Sequence, residues 1–273
     1  MLLQRTLTAL LLAPLAILLI LWPPTTVFAP LVALAFLAAL WEWTRLSGLK
    51  HDTGVRGGLL VAAAVLFALL WWARDSALWP VLIGVGVLWW GVVCVWLNHF
   101  AFGAAPTREN RLLKLGAGAL VIVPAWVAAM SIHRDQPHGH WWTVLALAIV
   151  WAADIGAYFS GRLFGKRKLA PTISPGKTWA GVYGAFIAGA LVAGVGGWLL
   201  HVRDGSLVGL ILLSMVTVVA SIVGDLLESL MKRHAAVKDS GNLFPGHGGL
   251  LDRLDSVFAA LPVFAAGKLL LGL

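Results

Sequence analysis

The sequence predicts an all-α, polytopic integral membrane protein of about nine transmembrane helices, with its N-terminus cytoplasmic and its C-terminus outside. Three observations carry that prediction. The 273-residue chain is 60% hydrophobic and only 12% charged, with a mean hydropathy of +0.89, whereas a soluble domain carries about 25% charged residues. The apolar residues form continuous runs without two-residue alternation, which favours helices over a barrel because a spanning segment must satisfy its own backbone. Lysine and arginine are distributed unequally over alternate sides of these runs, as the positive-inside rule expects.

The spans run roughly Leu7–Trp22, Thr26–Trp43, Gly57–Trp72, Leu78–Trp96, Leu112–Ile132, Trp141–Phe159, Trp179–Leu200, Leu207–Leu227 and Ser256–Leu271. The first is short, and Pro23-Pro24 turns it into the second. A cleaved signal peptide is the rival reading of that first span, but Val27-Phe28-Ala29 is followed by Pro30, a poor residue after a cleavage point. Sixteen of the 20 bases fall on one side: Arg5, then Arg45, Lys50 and Arg56, then Arg108, Arg111 and Lys114, then Arg162, Lys166, Arg167, Lys168 and Lys177, then Lys232, Arg233, Lys238 and Arg253. Only Arg74, Arg134, Arg203 and Lys268 fall on the other. That side is therefore cytoplasmic. Topology accounts for much of the net charge of +8, and no nucleic-acid partner is expected. The single cysteine, Cys94, excludes an intrachain disulfide and any multi-cysteine metal site.

Tryptophans near span ends (Trp41, Trp43, Trp71, Trp72, Trp141, Trp142, Trp179) read as interfacial residues. Gly184, Ala188, Gly194 and Gly197 read as close helix packing. His133, His138 and His140 read as solvated loop histidines on the outer side rather than a metal site. Residues 98–111 read as a plain polar connector. The chain is one membrane domain, 1–273, in which 1–140 is a structural set of helices and 141–273 is the half that bears motifs.

The chemistry concentrates between Asp225 and Asp255. Asp225 and Glu228 lie three apart at the inner end of a span and share a helix face with Lys232. A salt-bridged helix end explains Glu228 with Lys232. It explains Asp225 less well, because an acid that follows a long apolar run needs a cation or a base. Asp252 and Asp255 open the last span, where the helix dipole favours one acid. Two acids with Arg253 directly after Pro245-Gly246-His247-Gly248-Gly249 ask for more, since a glycine-rich turn before a helix frees backbone N–H groups for phosphate. Carboxylates suit a hard divalent cation and bases suit oxyanions. His247 fits a hydrogen-bond donor or positioning role.

A second constellation spans Asp154 to Gly181. Asp154, Tyr158 and Arg162 form one polar stripe at i, i+4, i+8, and an internal ion pair between Asp154 and Arg162 is its plain reading. Gly176-Lys177-Thr178 has the ending of a P-loop, but position 171 is Pro and no strand precedes it, so that motif is rejected. Ser174, Lys177 and Thr178 before a helix still suit phosphate.

At these residues the chain resembles the phosphatidate cytidylyltransferase (CDP-diacylglycerol synthase) family. The family's C-terminal signature is filled at Ser229, Lys232, Arg233, Lys238, Asp239, Gly241, Pro245, Gly246, His247, Gly248, Gly249, Asp252, Arg253 and Asp255. The blocks Asp154-x-Gly-Ala-Tyr-x-x-Gly-Arg and Ser174-Pro-x-Lys-Thr-Trp resemble it too, except that the family's Glu after that Trp is Ala180 here. The motif-level likeness begins near Asp154; before it only the multi-span character matches. The resemblance implies CTP + phosphatidate → CDP-diacylglycerol + pyrophosphate, dependent on Mg²⁺ alone or with a second cation, for phospholipid synthesis in a bacterial inner membrane by a homodimer with a cytoplasmic site. On this reading Asp225, Glu228, Asp252 and Asp255 hold metal. Lys232, Arg233, Lys238, His247 and Arg253 join the three aspartates in catalysis. Asp154, Tyr158, Arg162, Ser174, Lys177, Thr178, Gly246, Gly248 and Gly249 hold substrate. Two rivals stay open. A CTP-using lipid kinase would transfer the γ-phosphate and release CDP. A transporter would use Asp154 and Asp225 for coupling ions, although no internal repeat supports it. The acid motif of the alcohol phosphotransferases that use CDP-diacylglycerol, Asp-Gly-x-x-Ala-Arg, is absent.

Overall fold

The computed structural model describes residues 14–243 and 248–273. Residues 14–21 are helical (α1). They are followed by α2 (Thr25–Thr44), α3 (Thr53–Trp72), α4 (Leu78–Leu97), α5 (Arg108–His133), α6 (Gly139–Phe164), α7 (Trp179–Leu199), α8 (Asp204–His234) and α9 (Leu251–Leu271). Among the described residues, eight helices, α2 to α9, are long and apolar enough to cross a membrane. The rest of the predicted first span lies outside the described residues.

The helices follow the predicted runs but outgrow them at one end. The sixth continues through Arg162 to Phe164, the eighth through Lys232 to His234, and the ninth begins at Leu251, before Asp252. Arg162, Lys232, Asp252 and Asp255 are thus helical, and their spacing sets which face each one takes. Residues 165–178, expected as loop, contain a hairpin. Strand β1 (Lys168–Ala170) pairs antiparallel with β2 (Ser174–Thr178), in register Lys168 to Thr178. Thr178 ends β2 and caps α7, accepting a hydrogen bond from the Gly181 N–H at 3.2 Å.

Three hydrogen bonds gather the loops of one end. Arg45 donates to the Asp239 carbonyl (3.0 Å), Arg233 to the Ile173 carbonyl (3.2 Å), and His234 Nε2 lies 2.7 Å from the Phe100 carbonyl. The loops that the base count placed together therefore meet in space. The fifth and ninth helices are the most enclosed, while the third is peripheral. Outward positions such as Val61, Leu69, Leu88, Val95, Ile187 and Leu191 are more than half exposed. That apolar jacket suits lipid.

Small residues set the two tightest helix pairs. A Cβ on Gly156 would lie 2.4 Å from the Gly184 carbonyl oxygen and 2.8 Å from Ala188 Cβ, so α6 and α7 touch backbone to backbone. Gly197 likewise admits Leu207 and Leu210, whereas Gly194 sits at ordinary contact distance. A Cβ on Gly224 would lie 2.4 Å from the Asp255 carbonyl oxygen, so α8 meets the backbone of α9 there.

Two expectations need correcting. Trp43 and Trp142 are buried rather than interfacial; Trp43 Nε1 donates to the Lys114 carbonyl at 2.8 Å. A buried indole needs such a partner, and the carbonyl of a neighbouring helix supplies it. His133 is also core. Its ring lies 2.9 Å from both Thr25 Oγ1 and the Ile20 carbonyl and stacks between Phe28 and His140. It ties α5 to the turn between α1 and α2. Among the described residues the histidines form no metal-type cluster.

Candidate active site

A cleft of about 530 Å³ opens between the hairpin and the helices α6, α7, α8 and α9. Asp154, Tyr158 and Arg162 reach it from α6, Gly176, Lys177 and Thr178 from β2, Asp225 from α8, and Asp252, Asp255 and Ser256 from α9. The two motif regions, separated by some fifty residues of chain, are thus two walls of one cleft. The glycine contacts explain why. Gly156 with Gly184 presses the first wall together, and Gly224 seats the turn before Asp225 directly on the backbone of Asp255.

Two lysines pair with three of the acids. Lys177 Nζ lies 2.6 Å from Asp225 Oδ2, linking the hairpin to α8 across the cleft. Lys232 Nζ lies 2.7 Å from both Glu228 Oε2 and Asp252 Oδ1, linking α8 to α9. The salt-bridged helix end expected for Glu228 and Lys232 is therefore present, and it extends to Asp252. Arg162 donates to the Tyr158 hydroxyl at 3.0 Å, and no Asp154–Arg162 ion pair forms among the described residues. Asp252 is the most engaged acid. Besides Lys232 it accepts from the Gly249 N–H (2.7 Å), the Ser240 N–H (3.0 Å) and the Ser240 hydroxyl (2.9 Å). Asp255 Oδ1 accepts from the Ser256 N–H at 2.7 Å.

Other predicted residues lie off the cleft wall. Glu228 and Lys232 sit behind Asp252. Arg233, Lys238 and Arg253 are exposed, and Arg233 is spent in part on holding the hairpin through Ile173. Ser174 stands in the hairpin opposite Ala170. The Gly249 N–H is occupied by Asp252, and Gly248 adopts φ +82°, a left-handed conformation that glycine alone takes without strain. Gly246 and His247 lie outside the described residues.

The donor set suits a hard divalent cation in kind. Carboxylates from three helices face one cleft, and buried Glu228 Oε1 has no hydrogen-bond partner. In position, the ammonium groups of Lys177 and Lys232 engage Asp225, Glu228 and Asp252, and among the described residues no three acids converge on one point.

Sequence reasoning missed Glu42. This α2 acid is buried and bonded to Ser240, Leu250 and Leu251. The signal was available, since Glu42 is a lone acid inside an apolar span, where an ionisable residue marks a site by default.

The profile of the Cytidylyltransferase family matches residues 3–270. A phosphatidate cytidylyltransferase of Pseudomonas aeruginosa is 40% identical over 266 residues, covering 97% of this chain and 96% of its own length. One of Haemophilus influenzae is 37% identical over 286 residues, covering 97% and 98%. One of Brucella suis is 35% identical over 236 residues, covering 82% and 77%. The likeness therefore runs through the N-terminal half as well, where the sequence alone offered only multi-span character.

Proposed function

The chain belongs to the phosphatidate cytidylyltransferase family, and from that premise we propose that it joins the cytidylyl group of CTP to phosphatidate in this cleft. As a member it is a membrane-embedded nucleotidyltransferase that acts on a lipid. The finer reading rests on one observation above the others: four aspartates, Lys177 and Arg162 share a single cleft at the end of the bundle where most of the bases collect.

The reaction needs little acid–base chemistry. A phosphate oxygen of phosphatidate, anionic near neutral pH, attacks the α-phosphorus of CTP. The bond to the bridging oxygen breaks, and pyrophosphate leaves. The obstacle is the mutual repulsion of two polyanions. Lys177 and Arg162 lower that repulsion from the hairpin and from α6. Asp225, Asp252 and Asp255, with Glu228 behind them, are the residues that would hold Mg²⁺. Bound there, Mg²⁺ would neutralise phosphate charge and steady the leaving group. Lys232 orients Asp252 from behind. Arg233, Lys238, Arg253 and His247 serve the approach of phosphate groups from the loop side, with Ser174, Thr178, Gly246, Gly248 and Gly249 shaping the walls.

The positive-inside distribution supports a cytoplasmic N-terminus, an outer C-terminus and a cleft facing the cytoplasm of a bacterial inner membrane. CTP then arrives from water and phosphatidate sideways from the inner leaflet. Residues 141–273 carry the chemistry and 1–140 support it, in a homodimer.

The test is transfer by detergent-solubilised protein supplied with phosphatidate, Mg²⁺ and CTP labelled separately at the α- and γ-phosphates. The reading expects α-label in the lipid and γ-label in pyrophosphate. Lipid carrying the γ-label would make the chain a kinase and overturn it.

A further inference from the structure

The Glu42 carboxylate lies about two hundred residues away in sequence from the loop it touches. Its Oε2 accepts from the Ser240 hydroxyl at 2.9 Å and the Leu251 N–H at 2.8 Å, and its Oε1 accepts from the Leu250 N–H at 3.1 Å. Leu250 and Leu251 begin α9. The first N–H groups of a helix have no partner inside the helix, and an anion is favoured there. Glu42 fills that role from another helix, although Leu250, at the cap position itself, has no side-chain oxygen to offer.

The surroundings are built around this carboxylate. A Cβ on Gly241 would lie 2.1 Å from Glu42 Oε1, and one on Gly249 would lie 2.2 Å from Glu42 Oε2 and 2.3 Å from Ser240 Oγ. Two glycines of the motif therefore make room for Glu42, rather than only freeing backbone for a ligand. Ser240 is fully buried, and its hydroxyl stands 2.9 Å from both Glu42 Oε2 and Asp252 Oδ2. The single hydroxyl proton is shared between two carboxylates, which links Asp252 to Glu42 through Ser240. Arg45, one turn further on, holds the Asp239 carbonyl at 3.0 Å. The end of α2 thus grips the segment 239–241 and the start of α9 together.

We propose that Glu42 is a positioning residue for the transfer reaction: through Ser240 and the first amides of α9 it holds Asp252 in the orientation the cleft uses. This rests on the assignment of Asp252 to the reacting cleft made under the proposed function. The mechanism makes Glu42 act on turnover more than on nucleotide capture, because Lys177 and Arg162, on the opposite wall, do not touch it.

The experiment compares Glu42→Gln, Ser240→Ala and the double variant in detergent at a temperature where all three remain folded by thermal unfolding. Two readouts are taken: kcat and KM for CTP, and hydrogen–deuterium exchange of the Gly249, Leu250 and Leu251 amides. The expected result is a fall in kcat of about tenfold or more for each single variant with KM for CTP within about twofold. The double variant should be no worse than the more severe single one, since removing either member of one relay breaks it. Glu42→Asp, which keeps the charge on a shorter arm, should recover part of the loss. Faster exchange at the three amides should accompany Glu42→Gln. A Glu42→Gln protein with unchanged kcat, or with a lower unfolding temperature as its sole defect, would overturn the proposal. So would unchanged exchange. The exchange result is read without turnover, so failure of the reaction assignment in wild-type protein is told apart from failure of the role given to Glu42.

Discussion

Each end of the bundle holds a cleft of similar size, about 530 Å³ beside the hairpin and about 490 Å³ at the opposite end, and each cleft has aspartates and bases in its wall. Their acids are held differently. At the opposite end Asp75 pairs with Arg134, and Asp135 pairs with Lys268, with the aspartate side chains 67% and 50% exposed. At the loop end the Asp252 and Glu228 side chains are 9% and 2% exposed, and Asp252 is reached by two backbone N–H groups, a hydroxyl and an ammonium. Exposed ion pairs contribute little, whereas burying a carboxylate is costly and makes each of its partners count. Cavity size does not separate the two ends. What does is the set of fixed donors aimed at Asp252, and the glycine crossings that leave no slack between the helices carrying the acids.

That contrast is broken most readily by equal substitutions at the two ends. Asp225→Asn and Asp252→Asn should each lower transfer from CTP to lipid by about 100-fold or more, the scale on which removing a preorganised electrostatic group acts. Asp75→Asn and Asp135→Asn should stay within about twofold. Initial rates with α-labelled CTP on matched amounts of folded protein decide it. Comparable losses at the two ends would dissolve the distinction.

Glycine substitutions along one helix give a second, smaller contrast. Gly224→Ala places a methyl group 2.4 Å from the Asp255 carbonyl oxygen, whereas a Cβ on Gly205 meets nothing within 4 Å. Overpacking of this kind costs about 1–3 kcal/mol. Gly224→Ala should lower both the unfolding temperature and kcat, while Gly205→Ala should lower neither, as followed by thermal unfolding and the same rate assay.

Lysines sharpen the comparison further. Lys177→Met removes the partner of Asp225 and a base from the wall, and should raise KM for CTP by about tenfold, worth about 1.4 kcal/mol. Lys268→Met should shift the unfolding temperature and leave KM alone. The smallest expected effect is one of pH. The hydrogen bond from Arg134 holds the Asp75 carboxyl below its ordinary range. Its contribution to stability is therefore present above the ordinary carboxylate pKa and is lost as pH falls through the lowered value. Unfolding scans of wild type and Asp75→Asn should converge in strong acid and differ only slightly at neutral pH.

Much of this was legible in the sequence, and the parts that were not have physical reasons. Hydropathy located the helices because spanning segments carry their signal within one run. The motif acids stood out because Asp225 ends a long apolar run and Asp252 and Asp255 open the last one at helical spacing. Long-range partners were not legible. No local pattern says that Lys177 of a hairpin meets Asp225 of α8, or that Ser240 lies between Glu42 and Asp252. The burial of Trp43, Trp142 and His133 was missed because indole and imidazole at a span end look alike whether they face lipid headgroups or the carbonyl of another helix. Glycines invited a phosphate reading because phosphate loops need bare backbone. At Gly241 and Gly249 the space is taken by the side chain of Glu42, a reason that only the folded arrangement supplies.

The central claim is that CTP binds at the loop end of the bundle. In protein whose one cysteine, Cys94, is replaced, single cysteines introduced at Ile222, in the wall beside Asp225, and at Ser131, in the wall of the opposite cleft, report each end separately. Reaction with a small thiol reagent is timed with and without CTP and Mg²⁺, in the absence of lipid so that no turnover occurs. The account predicts that nucleotide slows modification at position 222 and leaves position 131 untouched. Protection at 131 with none at 222 would contradict it.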